Sequence, residues 1–112
     1  MTPLRRASVL LAGSAGAFLM VLGSASTASA VTTYATAPDI RVNVRSGPGT
    51  SYGIIRTLAA NTRVPIFCQT PGTTVSGYYG TTNIWDNIDN GEFVSDAYVN
   101  TGSDGYIADR CA

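Results

Sequence analysis

The chain has 112 residues, with seven Arg, no Lys, no His and seven Asp plus Glu, a formal net charge of zero. Two of the arginines fall in the first 30 residues, so the remaining 82 carry five Arg against seven acids, a net charge of −2. That balance argues against a nucleic-acid or anionic-membrane binder, which shows a basic patch. The missing His removes the commonest zinc ligand and general base together.

Residues 1–30 read as a cleaved signal peptide. Arg5-Arg6 form a positive n-region, Ala7 to Leu22 is uncharged and mostly apolar, and Ala28-Ser29-Ala30 has the small-x-small pattern of a cleavage site. The apolar run is shorter than the roughly 20 residues of a membrane span. Leu4 before the Arg pair and Ala7-Ser8 after it fit a twin-Arg signal poorly. With no Cys near the cleavage site and no Leu-Pro-x-Thr-Gly motif, neither a lipoprotein nor covalent wall anchoring is expected. The expected product is a secreted, extracellular monomer, free of the membrane once the signal is removed and able to associate with the cell wall.

Residues 31–38 are Thr- and Ala-rich without a clear period and read as a flexible N-terminal arm; residues 39–112 are the expected domain. A first strand runs from Asp39 to Arg45, where Ile40, Val42 and Val44 alternate with Arg41, Asn43 and Arg45. It stops at Ser46-Gly47-Pro48-Gly49, which forces a turn. Tyr52 is expected to fold back onto the barrel from this first loop, and Gly53 to Leu58 is a second, β-branched strand.

The run Val42-Asn43-Val44-Arg45-Ser46-Gly47-Pro48-Gly49 resembles the opening signature of bacterial SH3 (SH3b) domains, commonly Leu-Asn-Val-Arg-Ser-Gly-Pro-Ser/Gly, with Val42 in the place of Leu. The resemblance covers about residues 39–100. It implies a small SH3-like barrel of short antiparallel strands and an association with the bacterial cell wall, where several members bind peptidoglycan peptides.

Ala59-Ala60-Asn61-Thr62 is a turn in which Asn61 stands where the family often has Gly; Asn is the next-best residue for the left-handed conformation. Arg63 to Gln69 reads as a third strand with Val64, Ile66 and Cys68 inward and Pro65 at an edge. Thr70 to Asn83 reads as a long irregular loop with two adjacent tyrosines. Ile84 to Ile88 is a strand, Asn90-Gly91 predicts a type I′ hairpin turn, and Glu92-Phe93-Val94 returns. In SH3-like barrels a short 3₁₀ turn follows; Ser95-Asp96-Ala97-Tyr98 fits it, with Val99 opening the last strand. No stretch of this part keeps a helical period, so the class is all-β.

Cys68 and Cys111 form an even pair in an exported chain and so read as a disulfide, enclosing 42 residues and tying the C-terminal tail to the third strand. With both thiols oxidised and neither His nor Lys present, no activated nucleophile remains. Glu92, Asp86, Asp89 and Asp96 read as turn and hairpin residues rather than a glycosidase pair. A non-enzyme without metal or cofactor is expected.

Exposed aromatics are the expected binding equipment, because they join flat apolar faces to polar handles. The candidates are Tyr78, Tyr79, Trp85 and Tyr98, with Arg45 and Tyr52 of the first loop behind them. Trp85 and Tyr98 read equally well as core, while Asn43 and Arg45 read first as braces of the loop. Arg41, without aromatic neighbours in sequence, is expected to lie apart from the binding surface. The expected partner is peptidoglycan or another extracellular peptide, glycan or protein. The alternative is a small secreted interaction or inhibitor protein acting on an extracellular enzyme, and the least favoured is a cryptic hydrolase.

Overall fold

The computed structural model describes residues 31–112; the expected signal peptide over 1–30 lies outside the described residues. Seven strands follow in order: β1 (Thr33–Ala35), β2 (Val42–Arg45), β3 (Ile54–Leu58), β4 (Arg63–Pro65), β5 (Cys68–Gly77), β6 (Gly80–Asp89) and β7 (Glu92–Ser95). A 3₁₀ turn, Asp96–Tyr98, closes the series, and no α-helix occurs among the described residues.

All strand pairings are antiparallel. One sheet has the order β3-β2-β7-β6-β5 and the other is the pair β1-β4. The alternation read in the first strand holds: Val42 and Val44 are buried while Asn43 faces out. They join Leu58, Val64, Ile88, Val94 and Val99 in one core, flanked by Tyr34, Ile66 and Tyr98. β3 is an edge strand, so Ile54 and Ile55 stay about half exposed. The fold is the expected SH3-like all-β barrel.

The expected flexible arm over 31–38 is instead built into the barrel. β1 pairs with β4, and Thr36 and Ala37 are buried. Thr36 N–H donates to Thr62 O at 2.8 Å, Ala37 N–H to Tyr98 O at 2.9 Å, and Asn100 N–H to Ala35 O at 2.9 Å. Small side chains let this segment slip under the 59–62 turn and beside Val99, where its backbone groups find partners that a solvated arm would lack. Asn61 takes the left-handed conformation, φ 56°, as its place in that turn predicts.

The third strand is broken. β4 ends at Pro65, which has no N–H to continue a ladder, and β5 begins at Cys68. The break resets the face pattern: Cys68 is only partly buried and Gln69 is the fully buried residue. The expected loop Thr70–Asn83 is also corrected. Most of it is the upper half of a long β5–β6 hairpin whose tip is Tyr78-Tyr79, with a register shift between Pro71 and Val75. Gly72 sits at that shift because a Cβ there would collide with the Pro48 carbonyl oxygen and come within 2.8 Å of Trp85 Cδ1.

The second hairpin turns at Asn90-Gly91, between the paired Asp89 and Glu92, but not as type I′: only Gly91 has a positive φ, 70°. Asn87 Nδ2 donates to the carbonyls of Asp89 and Glu92 at 2.8 and 3.3 Å, and the register shifts between Asn87 and Asp89. That irregularity absorbs the twist a type I′ turn would supply.

The disulfide joins Cys68 to Cys111, with Cα atoms 5.0 Å apart. Beside it, Gln69 holds the tail by its backbone. Its N–H donates to Asp109 O at 2.8 Å and its carbonyl accepts Cys111 N–H at 3.0 Å.

Candidate functional site

The long hairpin delivers its tip to the 3₁₀ turn. Tyr79 N–H donates to Ala97 O at 2.8 Å. Gly77 permits this approach, since a Cβ there would come within 2.9 Å of Ala97 and the Tyr98 ring. Ser95 caps the turn, its Oγ accepting from Ala97 N–H at 3.2 Å. At the tip the rings of Tyr78 and Tyr79 meet edge to face, centroids 4.8 Å apart, and remain 48% and 38% exposed.

Between the tip, the 3₁₀ turn and the 99–104 segment lies a cavity of about 460 Å³. Its walls include Tyr79, Thr81, Thr82, Asn100, Thr101 and Ser103. The far rim is stiffened by its own side chains: Thr101 Oγ1 donates to Ser103 O at 3.0 Å, and Ser103 Oγ accepts Gly105 N–H at 3.1 Å. An aromatic face beside hydroxyl and amide groups suits a ligand with alternating apolar faces and hydrogen-bonding edges, such as a sugar or a peptide.

Asp96 also borders this cavity, and behind it lies Asp86, fully buried. Asp86 Oδ2 and Asp96 Oδ1 receive no donor from the rest of the described residues. Burial, then the neighbouring Asp96 carboxyl, pushes Asp86 up to about 9, so Asp86 keeps a proton that it can share with Asp96. Burial raises Asp96 as well. Gln69 Nε2 donates to Asp86 Oδ1 at 2.7 Å, which completes the cluster.

The other expected residues lie elsewhere. Trp85 is core, 2% exposed, and its Nε1–H donates to Thr73 O at 2.8 Å. Tyr98 packs half-buried against the core. Arg45 braces the first loop, Nη1 donating to Thr50 O at 3.1 Å and Tyr52 O at 2.9 Å. The Tyr52 ring lies over Gly47 and Gly49, with 46% of the residue still exposed. Trp85, Tyr98 and Arg45 meet at a smaller cavity of about 180 Å³, which shares no lining residue with the first. Tyr52 lines neither.

Sequence reasoning singled out neither Thr81, Thr82 and Asn100, nor Arg41 as a neighbour of Trp85 and Tyr98. The first three carry no motif and read as strand or turn residues. Arg41 had one signal, its two-residue spacing from Asn43 and Arg45, which places all three along one side of β2.

The family model described as Bacterial SH3 domain matches residues 40–110. The protein YraI of Bacillus subtilis (strain 168) is 43% identical over 120 residues, an alignment that covers 100% of this chain and 99% of YraI. YraJ of the same organism is 42% identical over 119 residues, covering 99% of each.

Proposed function

The chain belongs to the bacterial SH3 domain family, and on that footing we propose that it is an exported, non-catalytic module that binds cell-wall peptidoglycan or another extracellular peptide or glycan. The observation that carries this reading is the 460 Å³ cavity beneath the half-exposed Tyr78–Tyr79 tip, walled by hydroxyl and amide side chains. Binding residues concentrate where a rigid scaffold presents a turn, and this tip is tied to the scaffold through Ala97.

The chemistry of the residues favours binding over turnover. Both cysteines are consumed in the disulfide, and neither His nor Lys is available as a base. Of Asp86 and Asp96 only Asp96 borders the cavity, while Asp86 is fully buried and holds its proton up to about 9, whereas glycoside hydrolysis needs two carboxyls facing the sugar. Export accords with the Arg5-Arg6, apolar-run and Ala28-Ser29-Ala30 pattern and with a disulfide, which persists in oxidising compartments.

Co-sedimentation of the purified protein with isolated cell walls tests the reading. Pelleting that survives moderate salt supports it; protein left wholly in the supernatant overturns it. A second reading, a secreted protein that docks on another protein, is favoured by Tyr52, Ile54 and Ile55, large apolar residues about half exposed on and just before the edge strand β3. Capture of a soluble extracellular enzyme in place of walls would establish that reading.

A further inference from the structure

The smaller cavity is lined by Arg41, Asn43 and Arg45 of the β2 segment, Thr50 of the first loop, the apolar Ile40, Val42 and Val75, and the buried or half-buried Trp85, Ser95 and Tyr98. No acidic residue lines it. That is notable in a domain that carries seven acids against five arginines.

The other three arginines are committed. Arg56 is paired with Glu92 at 2.7 Å. Arg63 donates to Thr33 through Nε and Nη2, at 2.8 and 2.6 Å. Arg110 lies 3.5 Å over the Tyr106 ring. By contrast, Arg41 has no hydrogen-bond or ion-pair partner among the described residues, and Arg45 uses only Nη1, leaving Nε and Nη2 without one. The tether of Nη1 to two loop carbonyls fixes the Arg45 guanidinium before any ligand arrives, which lowers the ordering cost of binding.

We propose that this cavity is a carboxylate site that takes the C-terminus of a peptide ending in a small apolar residue. A guanidinium fork matches a planar carboxylate in two parallel hydrogen bonds, stronger than neutral ones and specific in direction. Asn43 and Thr50 supply further polar groups for the last peptide unit, while Ile40 and Val75 provide the apolar wall for a methyl-sized side chain. At about 180 Å³ the cavity is smaller than a pocket for a whole ligand, and its size suits an end group. The proposal rests on the reading of the domain as a binding module but not on the wall as its target.

The test is an amide-resolved NMR titration of the purified protein with N-acetyl-alanyl-alanine, in its D and L forms, and with the corresponding C-terminal amides. At least one acid should bind, with shifts centred on Asn43, Val75 and Tyr98, and its amide at least about tenfold more weakly. Arg41→Gln should weaken the acid about tenfold and leave the amide unchanged, with the spectrum otherwise that of the native fold. Preference for the D form assigns the carboxylate to a wall peptide, and preference for the L form to a protein C-terminus. Equal binding of acid and amide overturns the proposal, as does no shift by roughly 10 mM peptide. Displacement by equimolar inorganic phosphate also overturns it, by reducing the cavity to a general anion site. Dipeptide binding with no wall sedimentation refutes the wall reading alone; wall sedimentation without dipeptide binding refutes the carboxylate site alone.

Discussion

Gln69 and Asp86 stand opposite each other on β5 and β6, and the amide of one donates to the carboxyl of the other at 2.7 Å with both side chains fully buried. The Gln69 Oε1 accepts the backbone N–H of Ile107 at 2.7 Å and of Ala108 at 3.0 Å. One glutamine therefore fastens the C-terminal tail to the barrel and orients the acid that shares a proton with Asp96. Asp96 in turn begins the 3₁₀ turn on which the tyrosine tip rests.

The Asp86 proton makes stability depend on pH. The ordinary value is 3.8 and the folded protein holds this proton up to about 9, so across that window the native state binds more protons than the unfolded chain. The contribution of this group is fully present below about pH 4 and is lost as pH rises through about 9. Asp86→Asn keeps an acceptor for Gln69 and a permanent donor for Asp96. It should flatten the slope and stabilise the protein at pH 8 by at least about 1 kcal/mol. Urea unfolding of both proteins at pH 5, 6.5 and 8 checks this. Parallel slopes for variant and parent would count against a shared proton.

Gly72→Ala should be severely destabilising, by about 3 kcal/mol or more, because the new methyl meets the Pro48 carbonyl and the Trp85 ring, neither of which is a flexible side-chain end. Gly53→Ala is the control, since a Cβ there meets nothing within 4 Å. Comparable melting temperatures for the two variants would contradict the packing of the first loop against the long hairpin.

Replacing Cys68 and Cys111 together by Ser should lower stability by about 2–4 kcal/mol, the typical range for a disulfide, with loop closure over a span of this length at its upper end. The Gln69 bonds to Ile107, Ala108, Asp109 and Cys111 remain in place, so the reduced barrel should still fold. Denaturant unfolding gives the difference, and hydrogen exchange at Ile107 and Ala108 shows whether the tail stays docked.

What is legible in the sequence is what local chemistry dictates. Val42 to Gly49 declares itself because the alternation and the Gly/Pro turn are consecutive. Asn61 follows from a residue suited to the left-handed conformation, and the 95–98 turn from the resemblance to SH3-like barrels. The hairpin over Thr70–Asn83 hides because Pro and Gly, here Pro71, Gly72 and Gly77, are depleted in strands. Gly72 and Gly77 are there because Pro48, Trp85 and the 3₁₀ turn press close, a requirement set by partners distant in sequence. β1 is missed for a similar reason: Thr36 and Ala37 are buried under a turn formed more than twenty residues later. Both cavities are assembled across strands, so their hydroxyl and guanidinium groups form no motif along the chain.

The tyrosine tip is the part of the candidate site with the most to lose by truncation. Tyr79→Ala should weaken wall or partner binding at least about tenfold, and Tyr78→Ala should also weaken it, since Tyr is enriched among residues whose loss costs about 2 kcal/mol or more. Folding should change little, because both rings are largely outside the core. Trp85→Ala should damage folding first, given its burial and its bond to Thr73.

Amide-resolved NMR of the purified protein with enzymatically solubilised peptidoglycan fragments tests the binding role of the larger cavity most directly. Shifts should concentrate at Tyr79, Thr81 and Thr82 on the hairpin and at Asn100, Thr101 and Ser103 across from it, and Tyr79→Ala should abolish most of them. Fragments that bind with shifts confined to other surfaces, or fragments that bind both tyrosine variants as they bind the parent, would contradict it.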